Sequence, residues 1–79
     1  MYIGEAISVI ASFGLPYNIR PVKFKWSGRL MPVKDITYSW KTREGESVLY
    51  HFSVSDGKTL YELSFNAASL VWRLENLET

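Results

Sequence analysis

Two runs of apolar–polar alternation, Val48 to Ser55 and Lys58 to Phe65, flank the dipeptide Asp56-Gly57. Alternation with period two sends successive side chains to opposite faces of a strand. Asp-Gly between two such runs is the strongest short-range signal for a hairpin. A two-residue turn there sets Ser55 opposite Lys58, Phe52 opposite Tyr61, Tyr50 opposite Leu63 and Val48 opposite Phe65. The large residues then share one face, while Leu49, His51, Ser53, Leu60, Glu62 and Ser64 take the other. Turn chemistry and burial pattern agree, so a half-buried sheet lies at the centre of this chain.

The same period runs through most of the sequence. Ile3 to Phe13 places Ile7, Val9, Ala11 and Phe13 on one face. A helix competes there because Glu5-Ala6-Ile7 tolerates one, but the Ile and Val content favours a strand. Gly14-Leu15-Pro16-Tyr17-Asn18 reads as a turn. Arg20 to Trp26 directs Val22, Phe24 and Trp26 one way and Lys23 and Lys25 the other, and Ser27-Gly28 reads as a tight turn. The next stretch changes phase: Val33 keeps one alternation, while Ile36, Tyr38 and Trp40 sit on the other. Such a change needs a bulge or bend near Pro32 to Asp35, or a break there into two short strands. Thr42 to Ser47 is a polar loop, and Asn66 to Ser69 is another turn. Leu70 to Glu75 then gives a last strand, with Leu70, Trp72 and Leu74 facing one way and Val71 and Arg73 the other. The expected architecture is one all-β domain over residues 1–79, with five or six antiparallel strands joined by short turns. A small SH3-like barrel is the first expectation, a strongly coiled antiparallel sheet the second.

A chain of 79 residues lies near the lower end of what one hydrophobic core can stabilise, so self-association, as a homodimer, is a natural expectation. Its 47% apolar content and twelve aromatic residues are ample for a packed interior. Without cysteine there is neither a disulfide nor a thiolate metal site, which suits a reducing cytoplasm. The start lacks a basic segment and carries Glu5 early, unlike a signal peptide. No apolar run approaches the ~20 residues of a membrane-spanning helix. A soluble, cytoplasmic protein with no membrane partner is therefore expected. The net charge of +1 conceals an asymmetry: residues 20–43 carry +6 and the remainder −5.

Several local patterns also occur together. Tyr2-Ile3-Gly4-Glu5 stands near the start, followed by Pro21 to Arg29 reading PVKFKWSGR, then by Val33, Ile36 and Trp40. An aromatic-rich run, YHFSVSDGKTLYELSFN, and a closing Trp72-Arg73-Leu74-Glu75 complete the set. Over nearly its whole length the chain resembles a bacterial family of short stand-alone proteins of unknown function. A similar domain occurs at the C-terminal end of some Y-family DNA polymerase relatives. Met31-Pro32 departs from the aromatic or basic residue expected after Gly28-Arg29. The resemblance implies a compact β domain that assists a larger system, and it implies no catalytic residue.

Most reactive chemistries lack their residues. One histidine and no cysteine leave only carboxylates for a metal, and Glu44 with Glu46 do not make a site. His51 falls opposite Glu62 in the hairpin register, which reads as a surface pair rather than a general base. No G-x-S-x-G elbow, P-loop or dinucleotide fingerprint is present, and Glu62 and Glu75 read as outward-facing rather than as a glycosidase pair. The chain is expected to be no enzyme, with no cofactor, no metal and no small-molecule substrate. Two binding readings remain. Leu49, Leu60 and Val71 fall opposite the core face and would form an apolar patch for a protein partner or a second copy. Alternatively Lys23, Lys25, Arg29, Lys41 and Arg43, interleaved with Trp26, Tyr38 and Trp40, would hold single-stranded nucleic acid by charge and stacking. The parity of Lys23 and Lys25 against Phe24 and Trp26 separates cation from aromatic on that strand, and the net charge is low for a nucleic-acid binder. An accessory protein-interaction module is accordingly the first expectation, and a sequence-indifferent nucleic-acid binder serving DNA repair or replication the second.

Overall fold

In a computed structural model, which describes residues 1–14 and 18–79, every regular element is a strand. Leu15, Pro16 and Tyr17 of the expected first turn lie outside the described residues. The strands are β1 (Tyr2–Phe13), β2 (Ile19–Trp26), β3 (Arg29–Pro32), β4 (Asp35–Glu44), β5 (Ser47–Ser55), β6 (Leu60–Asn66) and β7 (Val71–Glu78). They form one antiparallel sheet in the order β3-β2-β1-β7-β6-β5-β4, not closed into a barrel. The helical alternative at Glu5-Ala6-Ile7 is absent. The count is seven rather than five or six because the long third strand divides at Val33-Lys34; the final strand also runs on to Glu78.

The sheet rolls around β1, whose first half pairs with β7 and whose second half pairs with β2. Four register shifts supply the curvature, at Tyr2/Glu5, Ile10/Ala11, Ile36/Tyr38 and Glu62/Leu63. Gly4 carries the first shift at φ +68, and its carbonyl accepts a 2.6 Å hydrogen bond from Arg73 Nη2. The second shift skips Val22, so Pro21 and Phe24 both turn inward. Val22, expected beside Phe24 in the core, is instead 41% exposed. The third shift leaves Thr37 unpaired, its hydroxyl donating to Ser53 O at 3.1 Å. Ile36 therefore packs inward while Tyr38 and Trp40 face out, not on one face as the uninterrupted alternation suggested.

Folding the β1–β2–β3 part over β4–β7 encloses Phe24, Phe52, Val54, Tyr61, Leu63, Phe65, Trp72 and Leu74. Each such side chain contributes about 1.5–3 kcal/mol by leaving water. The rings interlock, Phe24 with Tyr61 edge-on at 5.0 Å and Phe65 with Trp72 at 4.8 Å. Trp26 covers one flank and donates from Nε1 to Glu5 Oε2 at 3.0 Å.

The central hairpin forms, but its register is two residues from the one a two-residue turn dictates. Tyr50 pairs with Phe65, Phe52 with Leu63, Val54 with Tyr61 and Ser55 with Leu60. The reason is the Asp56 side chain. Its Oδ1 accepts the backbone N–H of Lys58 and of Thr59, both at 2.9 Å, and Ser55 Oγ accepts that of Gly57 at 3.0 Å. These bonds hold four residues in the loop instead of two. A shift of two preserves parity, so every residue keeps the face the alternation gave it. The next turn is built the same way: Asn66 Oδ1 accepts from the N–H groups of Ala68 and Ser69. Leu70, expected inward on the last strand, belongs to this turn, at φ 61 and 70% exposed.

A leucine in the left-handed region is strained by about 1–2 kcal/mol. Leu70→Gly should therefore raise the urea midpoint, whereas Gly4→Ala should lower it, since an alanine there meets both positive φ and the Tyr2 ring. The Asp56 carboxyl is held below its ordinary pKa of 3.8, first by the Lys58 N–H and then by that of Thr59. A lowered folded value means stability that is complete above pH ~3.8 and is lost as pH falls through the folded value. The advantage of the native chain over Asp56→Ala in urea should accordingly be full at neutral pH and shrink in acid.

Candidate functional site

The strand pair β3–β4 determines where the surface is interrupted. Chain direction alternates across the sheet, so β3 and β4 run the same way, as two parts of one long bent strand. Val33 N–H still bonds to Val22 O on β2 at 2.9 Å, while Lys34 N–H bonds to Ser55 O on β5 at 2.8 Å. At that point the strand leaves one partner and joins the other. Beyond it β2 and β4 diverge, and no Cα of β2 lies within 8 Å of one in β4.

A cleft opens between them. One part, about 370 Å³, is lined by Asn18 and Ile19 on one side, by Ser39, Trp40 and Lys41 on the other, with Tyr50, His51 and Phe52 beneath. The adjoining part, about 410 Å³, reaches from Ile19 and Arg20 across Phe52 to Lys34 and to residues 35–39. The walls carry three cations, Arg20, Lys34 and Lys41, against Asp35. All three cations come from the +6 segment of the sequence, so part of the charge asymmetry gathers around this cleft. Lys41 Nζ sits 5.8 Å above the Tyr50 ring.

The cations singled out from sequence divide between two surfaces. Lys23 and Lys25 stand on the outer face of β2, beside Ile10, Ser8 and Leu30 of the neighbouring strands. Arg29 follows the Ser27-Gly28 turn on the opposite side of β3, near enough to Tyr61 to act on its phenol. Lys41 and Arg43 lie along β4, across from Tyr50 and Val48. The apolar trio also divides. Leu49 and Val71 flank Asn66 across three adjacent strands, whereas Leu60 pairs with Ser55 at the far end of β6, ~20 Å away at strand rise. Sequence reasoning missed Ile19, Lys34 and Ser39 as wall residues. The signal that locates them is the phase break at Val33 to Ile36, which marks where a strand changes partners.

On the outer face, behind the cleft, lies an aromatic and polar row. Tyr38, 66% exposed, stacks on Trp40 at 5.4 Å, and Trp40 stacks on His51 at 5.0 Å with planes 6° apart. His51 pairs with Ser64, not Glu62 as the two-residue turn implied, and Glu62 is a diagonal neighbour with Oε2 3.9 Å from Nδ1. Thr42 Oγ1 meets His51 Nε2 at 2.6 Å, and Nδ1 has no hydrogen-bond partner. Hydroxyl, imidazole and carboxylate thus follow the order of a nucleophile, a base and its orienting acid. The last contact is too long for a hydrogen bond. Among the described residues no group of three or more His, Cys, Asp or Glu side chains is arranged to hold a metal.

Because the Trp40-covered imidazole is only 12% exposed, removing the hydroxyl that hydrogen-bonds to it is expensive. Thr42→Val should lower stability by about 1 kcal/mol. His51→Phe, which keeps a ring under Trp40 and removes both polar atoms, should leave the urea midpoint unchanged or raise it. Comparison of the chain with family models, with curated proteins and with solved structures returns no match.

Proposed function

We propose that this chain is a non-enzymatic accessory module that holds a protein partner in the cleft between β2 and β4. The observation that supports it most is that, among the described residues, no strand pairs with β4 on the side away from β5, while Tyr50 and Phe52 floor the cleft beside it. Unpaired edges are the part of a sheet that other chains join. The reading keeps the SH3-like kinship expected from the sequence, with the roll left open along one seam. It also keeps the resemblance to the bacterial family and the polymerase-associated domain, and so a role beside a larger assembly. A cysteine-free chain suits work in the cytoplasm.

Nucleic acid is the second reading, favoured by the exposed Tyr38–Trp40 stack. Against it stands the composition of the cleft walls, in which half of the edge groups are carbonyls. A phosphate backbone offers those only further acceptors, whereas a peptide offers N–H donors. Self-association through Leu49 and Val71 has a smaller patch than expected, since Leu60 is not part of it.

Panning a displayed random-peptide library against the folded chain tests the first reading. The expected result is enrichment of peptides that perturb the amide signals of residues 18–20 and 34–41. Enrichment of none, or of peptides that perturb only other surfaces, would refute it. Labelled oligothymidylate at about 50 mM salt should show no binding at micromolar protein. A salt-dependent complex there would transfer the assignment to nucleic acid.

A further inference from the structure

We infer that the partner enters the cleft as an eighth strand, an extended segment paired antiparallel to β4 and acidic toward its own N-terminal end. This rests on the cleft being the contact surface, and it adds how the partner is held and what chemistry it carries.

The backbone identifies the free groups. Only Gly45 and Glu46 separate β4 from β5, so the closing pair, Glu44 and Ser47, is hydrogen-bonded. Bonding alternates along an antiparallel ladder, which commits Thr42, Trp40 and Tyr38 to β5. The N–H and C=O of Ser39 and Lys41 then point toward the cleft, and those of Arg43 continue the same edge beyond the residues that line it. The opposite strand agrees: the Val48 carbonyl, across from Arg43, turns to β6 and accepts the Ala67 N–H at 3.0 Å. On β2 the pairing with β3 ends where Val22 O accepts the Val33 N–H, and Ile19, before it, lines the cleft wall facing β4.

The spacing excludes direct pairing of β2 with β4, and the strand directions decide how a guest would lie. A strand placed midway needs about 9.6 Å between its neighbours, twice the usual spacing. The Cα atoms of β2 and β4 stay more than 8 Å apart. β2 and β4 run in opposite directions, so an inserted strand is antiparallel to one of them only. β4 offers ten residues and the better pairing geometry, and it decides the direction. A second copy of the folded chain would bring its own β5 along with β4, and the cleft is bounded by β2 on the other side.

Inward-facing positions of the guest then meet a fixed series. Opposite Arg43 and Lys41, at the guest's N-terminal end, the favourable side chain is a carboxylate. Opposite Ser39 and beyond, above Ile19 and Phe52, it is apolar. The guest reads acidic, then apolar, at every second residue.

A capped octapeptide, Glu-Thr-Glu-Thr-Val-Thr-Val-Thr, is the probe, followed by amide exchange and chemical shifts in the full chain. Exchange at Ser39, Lys41 and Arg43 should slow at least tenfold at saturating peptide. The same peptide with Lys for Glu, or N-methylated at alternate amides, should bind at least tenfold more weakly. Lys41→Glu combined with Arg43→Glu, a surface change checked for folding by near-ultraviolet circular dichroism, should reverse the preference between the Glu and Lys peptides. Absence of binding at millimolar peptide, unslowed exchange at those three amides, or indifference to N-methylation would overturn the inference. So would protection of the same amides by oligothymidylate, or by rising protein concentration alone. Panned peptides that bind in the cleft yet tolerate N-methylation would refute the strand while leaving the cleft as the contact surface.

Discussion

Everything distinctive in this molecule depends on one change of hydrogen-bond partner. At Val33 the backbone still belongs to β2, and one residue later Lys34 belongs to β5. A single bent strand is thereby shared by both halves of the rolled sheet. It draws the halves over the common core, where Phe24 of one meets Tyr61 of the other. The same transfer leaves β2 and β4 without each other, because a strand whose donors have turned to a new neighbour no longer serves the old one. The enclosed core and the open seam are two results of one bend.

The bulges have a related double effect. Curling a seven-stranded sheet requires local loss of register, and each loss changes which side chains are hidden. At Thr37 the shift takes Tyr38 out of the interior and lays it on Trp40, and Trp40 in turn shelters His51. At Val22 it exchanges a valine for Pro21 in the core. An outer aromatic row and an inner apolar layer thus arise from the same strands.

This explains what could be read in the chain beforehand. Strand content, the β5–β6 hairpin, the Ser27-Gly28 turn and the faces of β5 and β6 follow from period two, which acts locally and was legible. Parity fails wherever an extra residue is inserted, as at Val22 and Thr37, because the need for curvature is set by the whole sheet rather than by neighbouring residues. The hairpin register failed for a more local reason: the Asp56 carboxylate gathers N–H groups into a longer loop than the Asp-Gly pair alone suggests. Of the site, the charge asymmetry of residues 20–43 was visible. Its meaning as two walls of one cleft was not, since β2 and β4 are separated by four other strands in the sheet. Lys23 and Lys25 illustrate the limit: near Lys41 in sequence, they stand on another surface.

The pairing of β1 with β7 joins the first strand of the sequence to the last, with the Met1 amino group 2.8 Å from Leu77 O. Contacts of such separation make folding slow relative to a domain stitched from neighbours. During synthesis β1 can find β2 early, yet the half of it destined for β7 must wait for nearly the entire sequence to emerge. Of the rings that cover the β1–β2–β3 meander, Phe52, Tyr61 and Phe65 precede β7 in the chain and Trp72 comes with it. The middle of the sheet therefore exists only once β7 is in place, since that strand supplies the partner of β1 together with Trp72 and Leu74 of the core.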